Sequence, residues 1–145
     1  MLKIHSILFP TDFSDESKAA IPYLTSLAEN YSSKVHILHV LEDFVLPVDM
    51  SWAAFPQVDI QGDRIARAEE ALDEVAAGLK EFDPSTALDF GSPHRKIAEY
   101  AAQQSIDLIV IPTHGRSGLS QFLMGSTAER VVRHAACAVL TPRAV

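Results

Sequence analysis

The sequence predicts an α/β fold, an open doubly wound parallel sheet of five strands with helices on both faces. Three observations carry that prediction. Short apolar runs alternate with stretches of helical periodicity along the whole chain, the signature of repeated β-α-β units. The run "KVHILHVLE" at 34–42 crowds Val35, Ile37, Leu38, Val40 and Leu41 onto both faces, as a strand covered by helices on two sides must. Finally, 145 residues that are 48 % apolar suffice for one continuous core, so a single domain over 1–145 is expected.

The elements follow in order. "ILF" at 7–9 is the first strand, and it ends in "PTDFS", where Ser14 is the expected N-cap of a helix over 15–31. That helix puts Ala20, Ile21, Leu24, Leu27, Ala28 and Tyr31 on one face, and Pro22 bends its first turns by removing a hydrogen bond. After the second strand, the segment from Glu42 to Asp59 has no period, two prolines, and Trp52 and Phe55. A connection this long reads either as a lid or protein-partner surface or as a loop folded onto the core. From Asp59 to Phe82, the residues Ile65, Leu72, Val75, Ala76, Leu79 and Phe82 recur at helical spacing. "STALDFG" at 85–91 is the third strand, and Ser92 with Pro93 opens the next helix in the order cap, then first-turn proline. "DLIVI" at 107–111 is the fourth strand, a last helix begins near Ser126, and "CAVLT" at 137–141 is the fifth strand.

In such sheets ligands bind at the carboxyl ends of the strands, beside the point where strand order reverses. That rule selects "PTD" after the first strand, "LED" after the second and "PTHG" after the fourth.

Composition excludes several functions. A net charge of −7 argues against broad attraction to nucleic acid or an anionic membrane. The charge is uneven: residues 111–145 carry Arg116, Arg130, Arg133 and Arg143 against Glu129, a balance of +3, which leaves −10 for the first 110. No apolar stretch approaches the roughly 20 residues of a membrane span, and the charge-broken start "MLKIHSILFPTD" is too short for a signal peptide. A soluble, cytoplasmic protein is expected. Cys137 is the single cysteine and reads as a buried, inert thiol.

Familiar enzyme signatures are missing. No Gly-Lys pair exists for a Walker loop, and there is no GxGxxG. His36 and His39 fall within one strand, three apart, so they point to opposite faces rather than forming a metal pair. Asp12 and His114 are the nearest candidates for a base or metal contact beside a phosphate, and slow phosphoryl transfer or hydrolysis through them is a further expectation.

The informative stretch is "IPTHGRSGLSQFLMGST" at 111–127, which holds three of the six glycines. Gly115 and Gly118 let the backbone approach a ligand closely and aim amide N–H groups at phosphate oxygens. Gly125 introduces Ser126 and Thr127 where the last helix begins, so unpaired N–H groups and the positive end of the helix dipole make an anion site, with Arg116 adding charge. The alternative reading is that the glycines only turn the chain and Ser126 caps the helix.

"GRSGLSQFLMGSTAERVVRHAACAVL" resembles the C-terminal signature of the universal stress protein family, a glycine, nine residues, then Gly-Ser or Gly-Thr. "ILFPTDFS", "GSPHRKIAEYA" and "IDLIVIPTHGRSGL" agree in order, so the resemblance covers nearly the whole chain. It implies an adenine nucleotide alpha hydrolase-like fold with strand order 3-2-1-4-5, a homodimer through the last strand, and an ATP-binding stress-response sensor or regulatory module. Carried over by position, adenosine would meet Pro10, Thr11, Asp12 and the backbone of Val40. The phosphates would meet Gly115, Arg116, Gly125, Ser126 and Thr127, with Ile111, Pro112 and His114 in the adjoining wall. Asp12 is the residue that would meet ribose hydroxyls or a magnesium ion, or it caps the next turn. The family's pattern has a further glycine where this chain has Pro112, and proline has no N–H to donate. That departure leaves open a second function, a non-nucleotide interaction protein of the same fold.

Overall fold

The computed structural model describes residues 1–43, 60–114 and 123–143. β1 (Ser6–Pro10) lies at the centre of the sheet, where both neighbours cover its edges and helices cover its faces, so Ile7, Leu8 and Phe9 are all buried. β2 (Lys34–Leu41) and β3 (Ser85–Phe90) extend the sheet on one side, and β4 (Leu108–Val110) and β5 (Ala138–Leu140) on the other. All pairings are parallel and the order is β3-β2-β1-β4-β5.

Strand alternation sends side chains to two cores. Ile7, Phe9, Val35, Ile37, Leu108 and Val110 face α2 (Ile21–Tyr31) and α3 (Ile60–Gly78), where they meet Leu24, Ala28 and Leu72. Leu8, Leu38 and Ile109 face α4 (Pro93–Gln103) and α5 (Ser126–His134), where they meet Ile97, Ala101, Ala128 and Val131. Each fully buried Leu or Ile contributes about 1.5–3 kcal/mol, against about 0–1 kcal/mol for a surface ion pair. The two cores, rather than exposed pairs such as Arg133–Glu129, therefore hold the layers together. His36 and His39 obey the same alternation: His36 meets the Tyr100 hydroxyl of α4 at 3.0 Å, and His39 packs on Phe13 from the opposite side. Burial and the nearby Lys34 ammonium hold His36 below its ordinary pKa.

The helix expected over 15–31 is divided. α1 (Asp15–Lys18) is capped by Ser14, whose Oγ accepts from Ser17 N at 3.1 Å, and α2 starts afresh at Ile21. Pro22 cannot donate to the Lys18 carbonyl, and its ring would collide with it, so one helix becomes two. α3 ends at Gly78, four residues before the expected limit, and a 3-10 turn over Lys80–Phe82 follows. Its three-residue spacing still turns Leu79 and Phe82 inward, which is why the apolar pattern runs on past the α-helix. Ser92 is the N-cap of α4 by position, but its Oγ lies against His94 Nδ1 at 3.0 Å instead of capping the helix. The N-cap of α5 is Gly125, so Ser126 is the first helical residue and not the cap. Cys137 is half-buried, and burial raises its thiol pKa.

Asp107 staples the start of the chain to β4: its carboxylate accepts from His5 N at 2.7 Å and Ser6 N at 3.0 Å. Those two hydrogen bonds hold its pKa below the ordinary carboxylate value. Around pH 4 the folded chain thus binds fewer protons than the unfolded one at this site. The stabilisation is complete above the unfolded value of about 3.9 and is lost as pH falls through the lower folded value. Asp107→Asn is expected to lower stability at pH 7 and to flatten the acid limb. Urea unfolding at pH 7, 5, 4 and 3 checks this, and parallel pH dependence in both proteins would contradict it.

Candidate functional site

Where β1 stops, the sheet opens. Thr11 N donates to the Leu38 carbonyl at 2.9 Å, so the chain leaving β1 still leans on β2. Toward β4, the ladder ends at the pair Leu8↔Ile109. Continuing it would require residue 10 to donate to the Val110 carbonyl and residue 112 to donate to the residue 10 carbonyl, and both positions are proline. The ladder stops for want of donors, at the point where strand order reverses.

The resulting cleft has a volume of about 400 Å³, and four of the segments that line it hold residues singled out from the sequence. Pro10, Thr11 and Asp12 come from the end of β1, and Val40 from β2. Ile111, Pro112 and His114 follow β4, and Gly125, Ser126 and Thr127 open α5. Gly115, Arg116 and Gly118 lie outside the described residues, as does the segment 44–59. Every other residue singled out from the sequence for nucleotide contact thus lines this one cleft.

Local hydrogen bonds hold each wall. Leu38 turns its carbonyl to β1 and Leu41 turns its own to β3, where it accepts from Gly91 N, so the amide edge of Val40 faces β1, beyond the last β1–β2 pair. Thr11 is buried, and its Oγ1 meets Ser17 Oγ at 2.7 Å and accepts from Phe13 N at 3.0 Å. Asp12 Oδ1 accepts from both the N–H and the hydroxyl of Ser14, so the turn-capping role is present. Phe13 has φ 65, a left-handed conformation that is strained for a bulky residue. Its ring rests on His39 at a centroid distance of 4.4 Å, and His39 Nδ1 donates to the Thr11 carbonyl at 2.7 Å. The acceptor is a carbonyl, so Nδ1 must carry the proton.

On the opposite wall, Gly125 N donates to the Thr113 carbonyl at 2.6 Å, which ties the start of α5 to the end of β4. The first bond within α5 runs from Glu129 N to the Gly125 carbonyl at 3.0 Å. The N–H groups of Ser126, Thr127 and Ala128 precede it, and all three residues line the cleft. Gly125 therefore contributes close approach rather than a donor. His114 Nδ1 lies 2.9 Å from its neighbour's Thr113 Oγ1. Among the described residues, no group of three or more His, Cys, Asp or Glu side chains gathers to hold a metal ion. No helix among them is long and apolar enough to cross a membrane.

Sequence reasoning missed several lining residues. Arg64 reaches the cleft from α3 and donates through Nη2 to the Glu42 carbonyl at 2.9 Å, while Pro93 and Ile97 enter from α4. Nothing local signals these, because their arrival depends on how the helices cross the strand ends. His39 could have been found: it directly precedes Val40 at a strand end the topology rule had selected.

An open parallel sheet with a cleft at its switch point, walled by a helix N-terminus, is an α/β ligand-binding architecture. The universal stress protein family model matches residues 3–143, and the chain belongs to that family. Universal stress protein MJ0531 of Methanocaldococcus jannaschii is 34 % identical over 139 residues, which are 92 % of this chain and 79 % of that protein. The structure of universal stress protein UspA from Lactobacillus plantarum is 27 % identical with a TM-score of 0.78, covering 99 % of this chain and 100 % of that one. A universal stress protein solved in complex with cAMP shares the fold at 22 % identity and a TM-score of 0.72, over 97 % of this chain and 98 % of that one. The fold is adenine nucleotide alpha hydrolase-like.

Proposed function

We propose that this chain binds ATP, or a related adenine nucleotide, in the switch-point cleft and acts as a sensor or regulatory module of the stress response. The observation that carries the reading is the meeting of the β1, β2 and β4 ends with the α5 N-terminus around one cleft. Its two ends differ in chemistry. Near β2, the amide edge of Val40 and the apolar Leu38 and Ile97 suit a flat base, with Pro10, Thr11 and Asp12 beside the sugar. Near α5, the first-turn N–H groups and the hydroxyls of Ser126 and Thr127 suit phosphate oxygens, and the family resemblance adds Gly115 and Arg116 to the phosphate contacts. A magnesium ion would travel with the phosphates and needs only one or two protein carboxylates, for which Asp12 is the candidate. The cAMP complex of a protein of this fold supports the adenine class. Hydrolysis has less support, since Asp12 and His114 both serve local turns.

Calorimetry on nucleotide-stripped protein, with and without magnesium, tests this. Saturable micromolar binding is expected, on the order of −8 kcal/mol. No heat with ATP, ADP or AMP would leave the second reading, a protein-interaction module of the same fold, which Pro112 favours.

The same reading includes a homodimer through β5. That strand is at the sheet's edge, with backbone positions of alternate residues facing outward. Val139 packs against the α4–α5 core and is a poor probe, whereas Ala138 is exposed. Ala138→Asp is expected to shift sedimentation toward the monomer with little change in melting temperature. An unchanged profile would remove this interface.

A further inference from the structure

We propose that the seam between α4 and α5, beside the cleft, is a phosphate-binding subsite whose donors are His94, Arg130 and His134. Three independent features lead there. First, Ser126, Arg130 and His134 are spaced four apart on α5 and share one face, so the stripe that begins on the cleft wall continues down the helix. From Ser126 to Arg130 is one turn, about 6 Å of rise.

Second, α4 brings more basic groups to the same stripe. Pro93 lines the cleft, and His94 follows it, with its ring 6.2 Å from that of His134. Ser92 Oγ lies 3.0 Å from His94 Nδ1 and orients that ring. After burial, the influences on His94 are Arg130, His134 and Arg95, all basic and all lowering its pKa.

Third, the fold itself does not account for this gathering. Cations in the last turn of α5 suit the helix dipole, and Arg133 there is paired with Glu129 at 2.8 Å. In the first turn of α4 the dipole opposes cations, yet that turn holds His94 and Arg95 and no acidic residue. Among the described residues, neither Arg95 nor Arg130 makes an ion pair. Guanidiniums and imidazoles brought together without an acid favour an anion, and phosphate offers several acceptor oxygens to a guanidinium fork and two imidazole N–H groups.

The phosphate could be the tail of a nucleotide seated in the cleft, an assignment that rests on the function proposed above, or a separate phosphate anion. Imidazole NMR resonances of His94 and His134 distinguish the sources. In nucleotide-stripped protein, tripolyphosphate is titrated first, then AMP and ATP. Saturable movement of both resonances with tripolyphosphate, with a raised His94 titration midpoint, is expected. Movement with ATP but not with AMP or tripolyphosphate would assign the site to the nucleotide tail. Arg130→Gln, at an exposed position, should weaken the response about tenfold without lowering the melting temperature, and His94→Gln should weaken that of His134. Resonances that stay still with tripolyphosphate and ATP alike, or move equally in Arg130→Gln, would overturn the proposal. Because the tripolyphosphate arm needs no base in the cleft, it stands or fails separately from nucleotide binding.

Discussion

Replacing Gly125 with valine is expected to weaken nucleotide binding on the order of a hundredfold and leave the protein folded. Gly125 has φ −60 and ψ 150, extended backbone that valine adopts without strain. Its N–H bond to Thr113 and its carbonyl bond from Glu129 are main-chain contacts that the substitution retains. What changes is space. Gly125 is buried on the cleft wall, immediately before the N–H groups of Ser126, Thr127 and Ala128, and an isopropyl group would stand where phosphate oxygens must approach. Loss of those contacts should cost on the order of a hundredfold in affinity, about 2.7 kcal/mol. Calorimetry with ATP measures the loss, and circular dichroism with a thermal melt confirms the fold. Undiminished affinity would mean that the ligand sits elsewhere.

The second large effect is expected at Pro112. The N–H groups of Ile111 and Thr113 both point to β5, reaching Leu140 and Pro142 carbonyls at 3.0 and 3.4 Å, so the nitrogen of residue 112 faces the gap toward β1. Pro112→Gly therefore adds a donor inside the crevice. Two acceptors compete for it: the Pro10 carbonyl, which would lengthen the β1–β4 ladder and narrow the cleft, and the charged oxygens of a bound nucleotide. A charge-assisted bond is roughly twice as strong as a neutral one, so the nucleotide should win. Tighter ATP binding by about tenfold is expected. A lower melting temperature should accompany it, because glycine frees the unfolded chain that proline restrains. Unchanged affinity would show that residue 112 shapes the strand end without touching the ligand. Binding that appears only in the variant would identify a chain blind to nucleotide as it stands, and would direct attention to protein partners.

Pro112 also shows the limit of motif reading. As a departure from the family's pattern it reads as a lost phosphate donor. In the fold it is one of two prolines, with Pro10, whose missing N–H groups stop the β1–β4 ladder and so open the cleft. Which role matters depends on the strand register, and no local pattern carries that.

The sequence by itself determined the strand runs, most of the apolar face of the helices over 15–31 and 59–82 (Tyr31 is exposed), the parallel five-stranded class, the family, and the loops from which a site could be built. These depend on periodicity and local backbone chemistry, which are written in consecutive residues. Even the break at Pro22 was visible as a bend, though not as the division into α1 and α2. Only the tertiary structure decided which side chains meet across the chain: His39 on the Thr11 carbonyl, Arg64 at the cleft, Asp107 on the first residues, and His94 against α5. Such meetings are set by strand register and by the angles at which helices cross the sheet. Those follow from the packing of whole side-chain layers, to which each residue contributes a little and which no short stretch specifies.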